Sequence, residues 1–256
     1  MRQGWSSGSD SSIPYAHITD TLVASLFAGA ANVGSWSGNG NLRLESFPPE
    51  SEWGEDEARR LISIAENSCD HVVSIERPGR AKDGSCYTMR GICMDHLLAP
   101  VDRVIELARE SNPDLVVTAI GDGGNELGFG KRYDETIKSE KILMPDKCVS
   151  VVSCDHLIVA SVSNWGGFGL AAAAGMARVE QAREGRGEEW EKNLVEVAGR
   201  CMPSSKDETR ILAGCVLAGC RDGVSGEMEN TVDGMSLDTT LACLEDAREI
   251  AERGWI

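Results

Sequence analysis

The chain has 256 residues, of which 41 are acidic and 25 basic, so its formal net charge is −16. Nucleic acids and anionic membranes bind basic surfaces, and this charge argues against both as partners. Aromatic residues make up 5% of the chain, which leaves few rings on which bases could stack. No apolar run approaches the roughly 18 residues of a membrane span. A small molecule is therefore the expected partner.

The cysteines and the first twelve residues indicate the cellular compartment in which the protein is located. Nine cysteines occur without a CxxC pair, which is typical of reduced thiols inside a cell rather than of zinc ligands. Most are expected to be small buried side chains, and a catalytic thiol stays open at Cys86 or Cys154. Residues 1–12 have neither the apolar core of a secretory signal nor the several arginines of a transit peptide. We expect an intracellular protein.

The first part of the chain has few regular patterns. Residues 1–12 are rich in Gly and Ser, and we expect partial disorder there. Helices are predicted over residues 18–31 and 55–66, where apolar residues recur at helical spacing. We expect residues 1–41 to form an irregular segment and residues 42–256 to form one α/β domain.

Beyond this segment, short apolar runs alternate with polar loops and helical patterns. Runs without polar alternation are typical of strands that are covered on both faces, and the repeated order predicts a parallel sheet with crossover helices. The fold class is therefore layered α/β, a mostly parallel, Rossmann-like sheet flanked by helices, with a helical C-terminal third. Strands are predicted over residues 72–75, 115–120 and 157–162, and helices over 101–110, 133–140, 170–182, 188–198, 207–220 and 237–251.

Each predicted strand is followed by an unusual polar segment: residues 76–91, 121–130 and 163–168. In an open parallel sheet, ligands bind beyond the carboxyl ends of the strands, where such loops meet. We therefore expect these three segments to converge on one cleft, although they are far apart in sequence.

The first segment is locally basic. Between Arg77 and Arg90 it carries four basic residues and one acid. A local positive charge can draw an anionic small molecule into a cleft, and an arginine can hold a carboxylate through two parallel hydrogen bonds. The alternative is an ordinary solvated loop.

The second segment has five glycines within residues 121–130. The dinucleotide pattern GxGxxG fails because Glu126 replaces its third glycine, and the phosphate-loop pattern fails as well, so no nucleotide cofactor is expected. Asp122 and Glu126 are spaced so that a helix beginning here would place both on one face. Their carboxylates predict a Mg²⁺ or Mn²⁺ site, and the alternative is a set of tight turns with a helix cap at Asp122.

The third segment opens an alanine-rich helix. Ser163 or Asn164 is a natural cap, and the backbone N–H groups of the first turn would face the cleft. Capping alone is the alternative, although it does not account for Trp165 followed by two glycines.

In these segments the chain resembles the D-glutamate cyclase family, specifically its C-terminal domain. The matching stretches, in the family's order, are residues 75–84, 121–128, 162–167 and 223–226 with 232–234. The resemblance implies a layered α/β fold and a lyase that converts D-glutamate to 5-oxo-D-proline, with Mg²⁺ or Mn²⁺ as its cofactor. It implies the mitochondrial matrix in a eukaryote and the cytoplasm otherwise.

One family feature has no counterpart before Leu42, namely a strand, a helix and a Glu-Thr-Asp-Gly-Pro-Pro-Gly loop. We therefore expect a chain that is truncated at its amino end. A non-catalytic or vestigial ligand-binding protein and another metal-dependent enzyme remain alternatives, since fold does not fix function. A homo-oligomer also stays open.

The expected reaction is attack by the substrate's own amine on its distal carboxylate, which needs a base and neutralisation of a carboxylate oxygen. Glu76 or Asp83 is the expected base, and Asp122 with Glu126 the expected metal site. The α-carboxylate would be held by Arg77, Lys82 and Arg90. The expected donors to the developing oxyanion are Gly123, Gly124, Asn164 and the catalytic Asn125. Ser163 and Trp165 are the other expected substrate contacts.

Overall fold

A computed structural model describes residues 70–183 and 201–253, together with single residues at 56, 59 and 63. The predicted helices over residues 18–31 and 188–198 and the boundary after residue 41 lie outside the described residues. The described residues fall into two compact units, one within residues 70–201 with 250–253 and the other Met202–Glu249.

A three-stranded parallel sheet is the centre of the first unit. Its strands are β1 (His71–Ile75), β2 (Val116–Gly121) and β3 (His156–Val159), with β2 in the middle. Ile120 of β2 lies opposite Ile75 on one side and Ile158 on the other. The parallel sheet predicted from the apolar runs is confirmed.

Helices cover the two faces of β2. Ile105 of α1 (Val101–Ser111) packs with Val117 and Ala119 on one face. On the other face lies α4 (Ser163–Arg183), which contacts all three strands. A Cβ atom on Gly166 of α4 would lie 2.5 Å from Ile120, so only glycine allows this close approach.

The edge strands depart from the prediction of full cover on both faces. Every residue of β2 after Val116 is buried. In β1, however, Val73 and Ile75 are 45% and 48% exposed, and Val159 of β3 is 61% exposed. Continuous apolar sequence therefore predicts full burial correctly only for the central strand.

Several helices and strands begin or end at residues other than those predicted from the sequence. β3 ends at Val159 because β2 ends at Gly121, whose carbonyl accepts the last sheet hydrogen bond from Ala160 N (3.1 Å). Helix α4 begins at Ser163 rather than at residue 170 and so includes the polar segment. The helix predicted over residues 133–140 is only the single turn α2 (Tyr133–Thr136), and a second short helix, α3 (Pro145–Cys148), was not predicted.

The second unit is mainly helical. Helix α5 (Ser205–Leu217) begins with a capping box in which Ser204 and Asp207 bond reciprocally. A short antiparallel hairpin, β4 (Thr231–Val232) and β5 (Met235–Ser236), precedes α6 (Leu237–Arg253). The helices predicted over residues 207–220 and 237–251 are confirmed with small shifts. Among the described residues, none of the helices has both the length and the apolar character needed to cross a bilayer.

Candidate active site

Three carboxylates meet at the carboxyl edge of the parallel sheet. Oxygens of Glu76, Asp122 and Glu126 lie within 4.8 Å of one another. Glu76 directly follows β1 and Asp122 directly follows β2, and Glu76 N donates to Ile120 O (3.1 Å) as a continuation of the sheet. Glu76 is exposed and Glu126 is only 2% exposed. We call these three residues the carboxylate cluster.

Glu126 organises the glycine loop, residues 121–128, through its own backbone contacts. Its Oε1 accepts hydrogen bonds from the backbone N of Gly123 (2.9 Å) and of Asp122 (3.4 Å), and its Oε2 accepts one from Gly124 N (2.7 Å). Burial raises the pKa of Glu126, and the hydrogen bonds from the N–H groups of Gly123 and Gly124 partly oppose that effect. No helix begins at Asp122. Instead, a turn closed by Glu126 brings the two acids together.

This arrangement also changes the expected role of two glycines. The N–H groups of Gly123 and Gly124 were expected to face the substrate, yet both donate to Glu126. Sequence spacing could not show this, because a nearby carboxylate competes with any ligand for the same donors.

Hydrogen bonds join the glycine loop to the first polar segment. Leu127 N donates to Arg77 O (2.8 Å), and Gly79 N donates to Asn125 O (3.0 Å). The Asn125 side chain, 8% exposed, donates from Nδ2 to Tyr87 O (2.8 Å). One of the two amide N–H bonds of Asn125 therefore holds the first segment in place.

The third polar segment reaches the carboxylate cluster through Ser163. This fully buried residue donates to Asp122 Oδ2 from its backbone N (3.0 Å) and from its Oγ (3.2 Å). Within the described part of the chain, Asp122 Oδ1 accepts no hydrogen bond. Asn164 is exposed, and the buried Nε1 of Trp165 has no hydrogen-bond partner among the described residues. The three polar segments thus converge at one edge of the sheet.

The basic residues of the first segment do not all gather around the carboxylate cluster, where three of them were expected to hold the α-carboxylate of the substrate. Arg77 donates to the carbonyl of Ala99 at the start of α1. Arg80 forms ion pairs with Asp102 (2.8 Å) and with Glu106. Lys82 and Arg90 are exposed, and among the described residues no hydrogen bond or ion pair joins either of them to the carboxylate cluster.

Lys82 and Asp83 instead line an open cleft of about 470 Å³ together with Asp146 and Lys147 of α3. We call it the Lys82 cleft. Asp83 accepts hydrogen bonds from Tyr87 Oη (2.5 Å) and Ser85 N (3.1 Å), and these lower its pKa. Sequence reasoning missed Asp146 and Lys147 because nothing in a short charged turn indicates which distant loop it faces.

The two candidate thiols do not have the environment of a nucleophile. Burial raises the pKa of Cys86 to about 12 and also raises the pKa of Cys154. Cys154 Sγ donates to His156 O (3.3 Å). Both remain thiols at neutral pH, and because the thiolate is the reactive form, a structural role is favoured.

The carboxylate cluster fits a divalent cation. Carboxylate oxygens are the ligands that Mg²⁺ and Mn²⁺ prefer, and like charges this close repel unless a cation or proton intervenes. Asp122 Oδ1 and the exposed Glu76 supply oxygens for coordination, and the Glu126 carboxylate, with about four lone-pair sites, retains capacity beyond its backbone bonds. Glu76, Asp122 and Glu126 could therefore hold the ion.

Comparison with known proteins agrees with the resemblance seen in the sequence. The model of a family described as "D-glutamate cyclase-like, C-terminal" matches residues 15–248. A similar protein is the human "D-glutamate cyclase, mitochondrial", which is 35% identical over 185 residues. The alignment covers 68% of this chain but 28% of the human protein, so the chain spans well under half the length of that relative.

Proposed function

This chain belongs to the D-glutamate cyclase-like C-terminal family, and from that premise we propose that it is a lyase that converts D-glutamate to 5-oxo-D-proline and water. The observation that carries the proposal is the carboxylate cluster of Glu76, Asp122 and Glu126 at the ligand-binding edge of the sheet. The name of the human relative supports the substrate and, for a eukaryotic source, a mitochondrial location.

The reaction needs proton transfer as well as positioning. The α-amine nitrogen attacks the side-chain carboxyl carbon, a C–N bond forms, and one C–O bond breaks. Two protons leave the ammonium nitrogen, and two reach the departing oxygen, so the products are a lactam and water. Because nucleophile and electrophile are in one molecule, orientation can supply roughly 7–11 kcal/mol of the barrier reduction. The protein must mainly fold the substrate and carry protons.

Glu76 is the proposed proton carrier. It is exposed beside the two other carboxylates, so its carboxylate can reach both solvent and a substrate at the cluster. Asp83, the other candidate, is a weaker base because the hydrogen bond from Tyr87 lowers its pKa. Glu76 can accept a proton from the amine and pass one to the leaving oxygen.

Asp122 and Glu126 are the proposed holders of a Mg²⁺ or Mn²⁺ ion. A divalent cation supplies neutralisation of the carboxylate oxygen under attack. Ser163 fixes Asp122 through two hydrogen bonds. Asn164, exposed in the first turn of α4, is the proposed donor of an amide N–H to the substrate. Arg77 and Arg90 remain proposed contacts for the α-carboxylate.

The test is product formation by the purified chain. D-Glutamate is incubated with the protein and Mn²⁺, and 5-oxoproline is quantified by chiral chromatography against a protein-free sample, since glutamate also cyclises slowly by itself. We expect product from the D-isomer that increases in proportion to protein concentration. Asp122→Asn should abolish it, while Asp114→Asn, which changes an exposed aspartate, should not.

Two results would overturn the proposal. One is product no faster than in the protein-free sample at high protein concentration, with folding verified by circular dichroism. The other is equal activity in wild type and Asp122→Asn. Binding of D-glutamate without turnover would favour the alternative of a ligand-binding protein of the same family.

A further inference from the structure

We propose that the Lys82 cleft, lined by Lys82, Asp83, Asp146 and Lys147, binds an acidic amino acid as its zwitterion. In this arrangement the two lysines attract the carboxylates and the aspartates attract the ammonium group before the substrate reaches the carboxylate cluster, where the proposed reaction occurs. The inference rests on the proposed function, because D-glutamate is such a molecule, and it adds two residues of α3, Asp146 and Lys147, to the candidate site.

The composition of the cleft selects this ligand chemistry. Its volume of about 470 Å³ falls within the range of roughly 300–1,000 Å³ that small-molecule sites occupy. Its lining consists of two lysines and two aspartates, one of each from residues 82–83 and one of each from α3. A plain dicarboxylate would meet repulsion from both aspartates, and a neutral ligand would form no ion pair with any of the four side chains. A molecule with two carboxylates and one ammonium group matches both signs of charge.

Tyr87 contacts one acidic and one basic side chain of the cleft. Tyr87, 8% exposed, donates from its hydroxyl to Asp83 Oδ2 (2.5 Å). The ammonium of Lys147 lies 4.9 Å from the centroid of the same ring, within cation–π range. These contacts restrict the side chains of Asp83 and Lys147 before a ligand arrives, and this lowers the entropic cost of binding.

Residues that follow each wall of the cleft in sequence are hydrogen-bonded to the glycine loop. On one side, Tyr87 O accepts the bond from Asn125 Nδ2 (2.8 Å). On the other, Ser150, just after α3, donates from its N to Gly124 O (3.0 Å). The loop that carries Asp122 and Glu126 thus also supports the cleft, so ligand binding and the carboxylate cluster share one backbone element.

The test is direct binding of D-glutamate at low ionic strength, measured by isothermal titration calorimetry with and without Mn²⁺. We expect Lys82→Ala with Lys147→Ala to weaken binding by about tenfold or more, and added salt to weaken wild-type binding. Lys138→Ala, which removes an exposed lysine outside the cleft, is the matched control and should bind as wild type does. All three lysines are exposed, so the variants should fold, and thermal unfolding verifies this.

A second measurement tests the aspartates. Glutarate has the two carboxylates of glutamate but no ammonium group. We expect wild type to bind it about tenfold more weakly than D-glutamate, and Asp146→Asn to reduce that preference.

The outcomes separate this inference from the proposed function. The proposal for the Lys82 cleft is overturned if D-glutamate binds the double lysine variant as tightly as wild type, or if wild type shows no detectable binding. If the double variant forms product with an unchanged KM, the proposal for the cleft is also overturned, but the cyclase proposal is not. Lysine-dependent binding without product supports the cleft and contradicts the cyclase.

Discussion

Ser163 donates two hydrogen bonds to the same oxygen of Asp122, from its backbone N at 3.0 Å and from its Oγ at 3.2 Å. Asp122 follows β2, and Ser163 begins α4 shortly after β3. The contact therefore joins the ends of two neighbouring parallel strands and orients one member of the carboxylate cluster. It also connects the second and third polar segments, which are 41 positions apart at these residues.

This relationship predicts graded effects on catalysis. Asp122→Asn can still accept from Ser163 but lacks the charge needed for the cation, so we expect activity to fall by about 100-fold or more. Ser163→Ala keeps the backbone bond and loses only the hydroxyl, so we expect a loss of about tenfold. Steady-state kinetics with D-glutamate measure both. Equal effects of the two substitutions would contradict the separate roles of charge and orientation.

A second prediction concerns the cation itself. If Asp122 and Glu126 bind Mn²⁺, the ion should raise the unfolding temperature, since a ligand at 100 times its dissociation constant stabilises the folded state by about 2.7 kcal/mol. Differential scanning fluorimetry with Mn²⁺, Mg²⁺ and EDTA gives the shift.

The matched variants are Asp122→Asn, which removes a carboxylate of the proposed metal site, and Asp114→Asn, which removes an exposed carboxylate outside the cluster. The shift should disappear in the first and persist in the second. A full Mn²⁺ shift in Asp122→Asn would place the ion elsewhere.

The parallel sheet was predictable from sequence, because a strand that is buried on both faces requires a continuous apolar run such as residues 115–120. The convergence of the loops that follow the strands was predictable as well. Order along the chain then fixes which loops follow parallel strands. From sequence alone, this order predicts that residues 76, 122 and 163 lie at one edge of the sheet. The edge strands were less predictable, since Val73 is apolar yet nearly half exposed.

The details of the site were not predictable, because they depend on competition for hydrogen-bond donors. Spacing suggested a helical face for Asp122 and Glu126, whereas Glu126 instead accepts bonds from three N–H groups of its own loop. Asp146 and Lys147 contribute to the Lys82 cleft through tertiary contact alone. A sequence pattern identifies residue types that suit a chemistry but does not show which neighbour has already taken their hydrogen bonds.

A third prediction separates backbone strain from steric clash in the glycine loop. Gly128 has φ of +106°, and a Cβ atom there would lie 2.3 Å from the Cβ of Ala119 in β2. Gly84 has φ of +91°, with nothing within 4 Å of an added Cβ. Alanine at either position carries a left-handed penalty of about 1–2 kcal/mol, and only at Gly128 does overpacking add about 1–3 kcal/mol.

Urea unfolding of Gly84→Ala and Gly128→Ala measures the difference in the free energy of unfolding. We expect Gly128→Ala to be the less stable variant and to lose D-glutamate turnover as the loop shifts. Equal stability of the two variants would mean that the packing of Gly128 against β2 is looser than the structure shows.

A fourth prediction concerns pH and the second unit. Asp222, 7% exposed, accepts hydrogen bonds from Val224 N and Ser225 N at one oxygen and from Thr231 Oγ1 and Gly234 N at the other, all within 2.9 Å. Burial alone would raise its pKa, but these donors together lower the pKa of Asp222 to about 2. One carboxylate thus holds together the family-matching stretches 223–226 and 232–234.

The folded pKa of Asp222 lies below the value of about 3.9 for an aspartate in an unfolded chain. The ionised side chain therefore stabilises the fold above about pH 4, and this contribution is lost as the pH falls from about 4 toward 2. Asp222→Asn puts an amide N–H against the donor of Gly234 or Ser225, so we expect it to lower the free energy of unfolding at pH 7 by about 1–3 kcal/mol.

The difference between wild type and Asp222→Asn should shrink below about pH 4, and urea unfolding at pH 7, 5, 4 and 3 measures it. Glu227→Gln changes an exposed carboxylate in the same loop and should differ little from wild type throughout. A deficit in Asp222→Asn that stays constant from pH 7 to 3 would show that the shape of the side chain, not its charge, holds the loop.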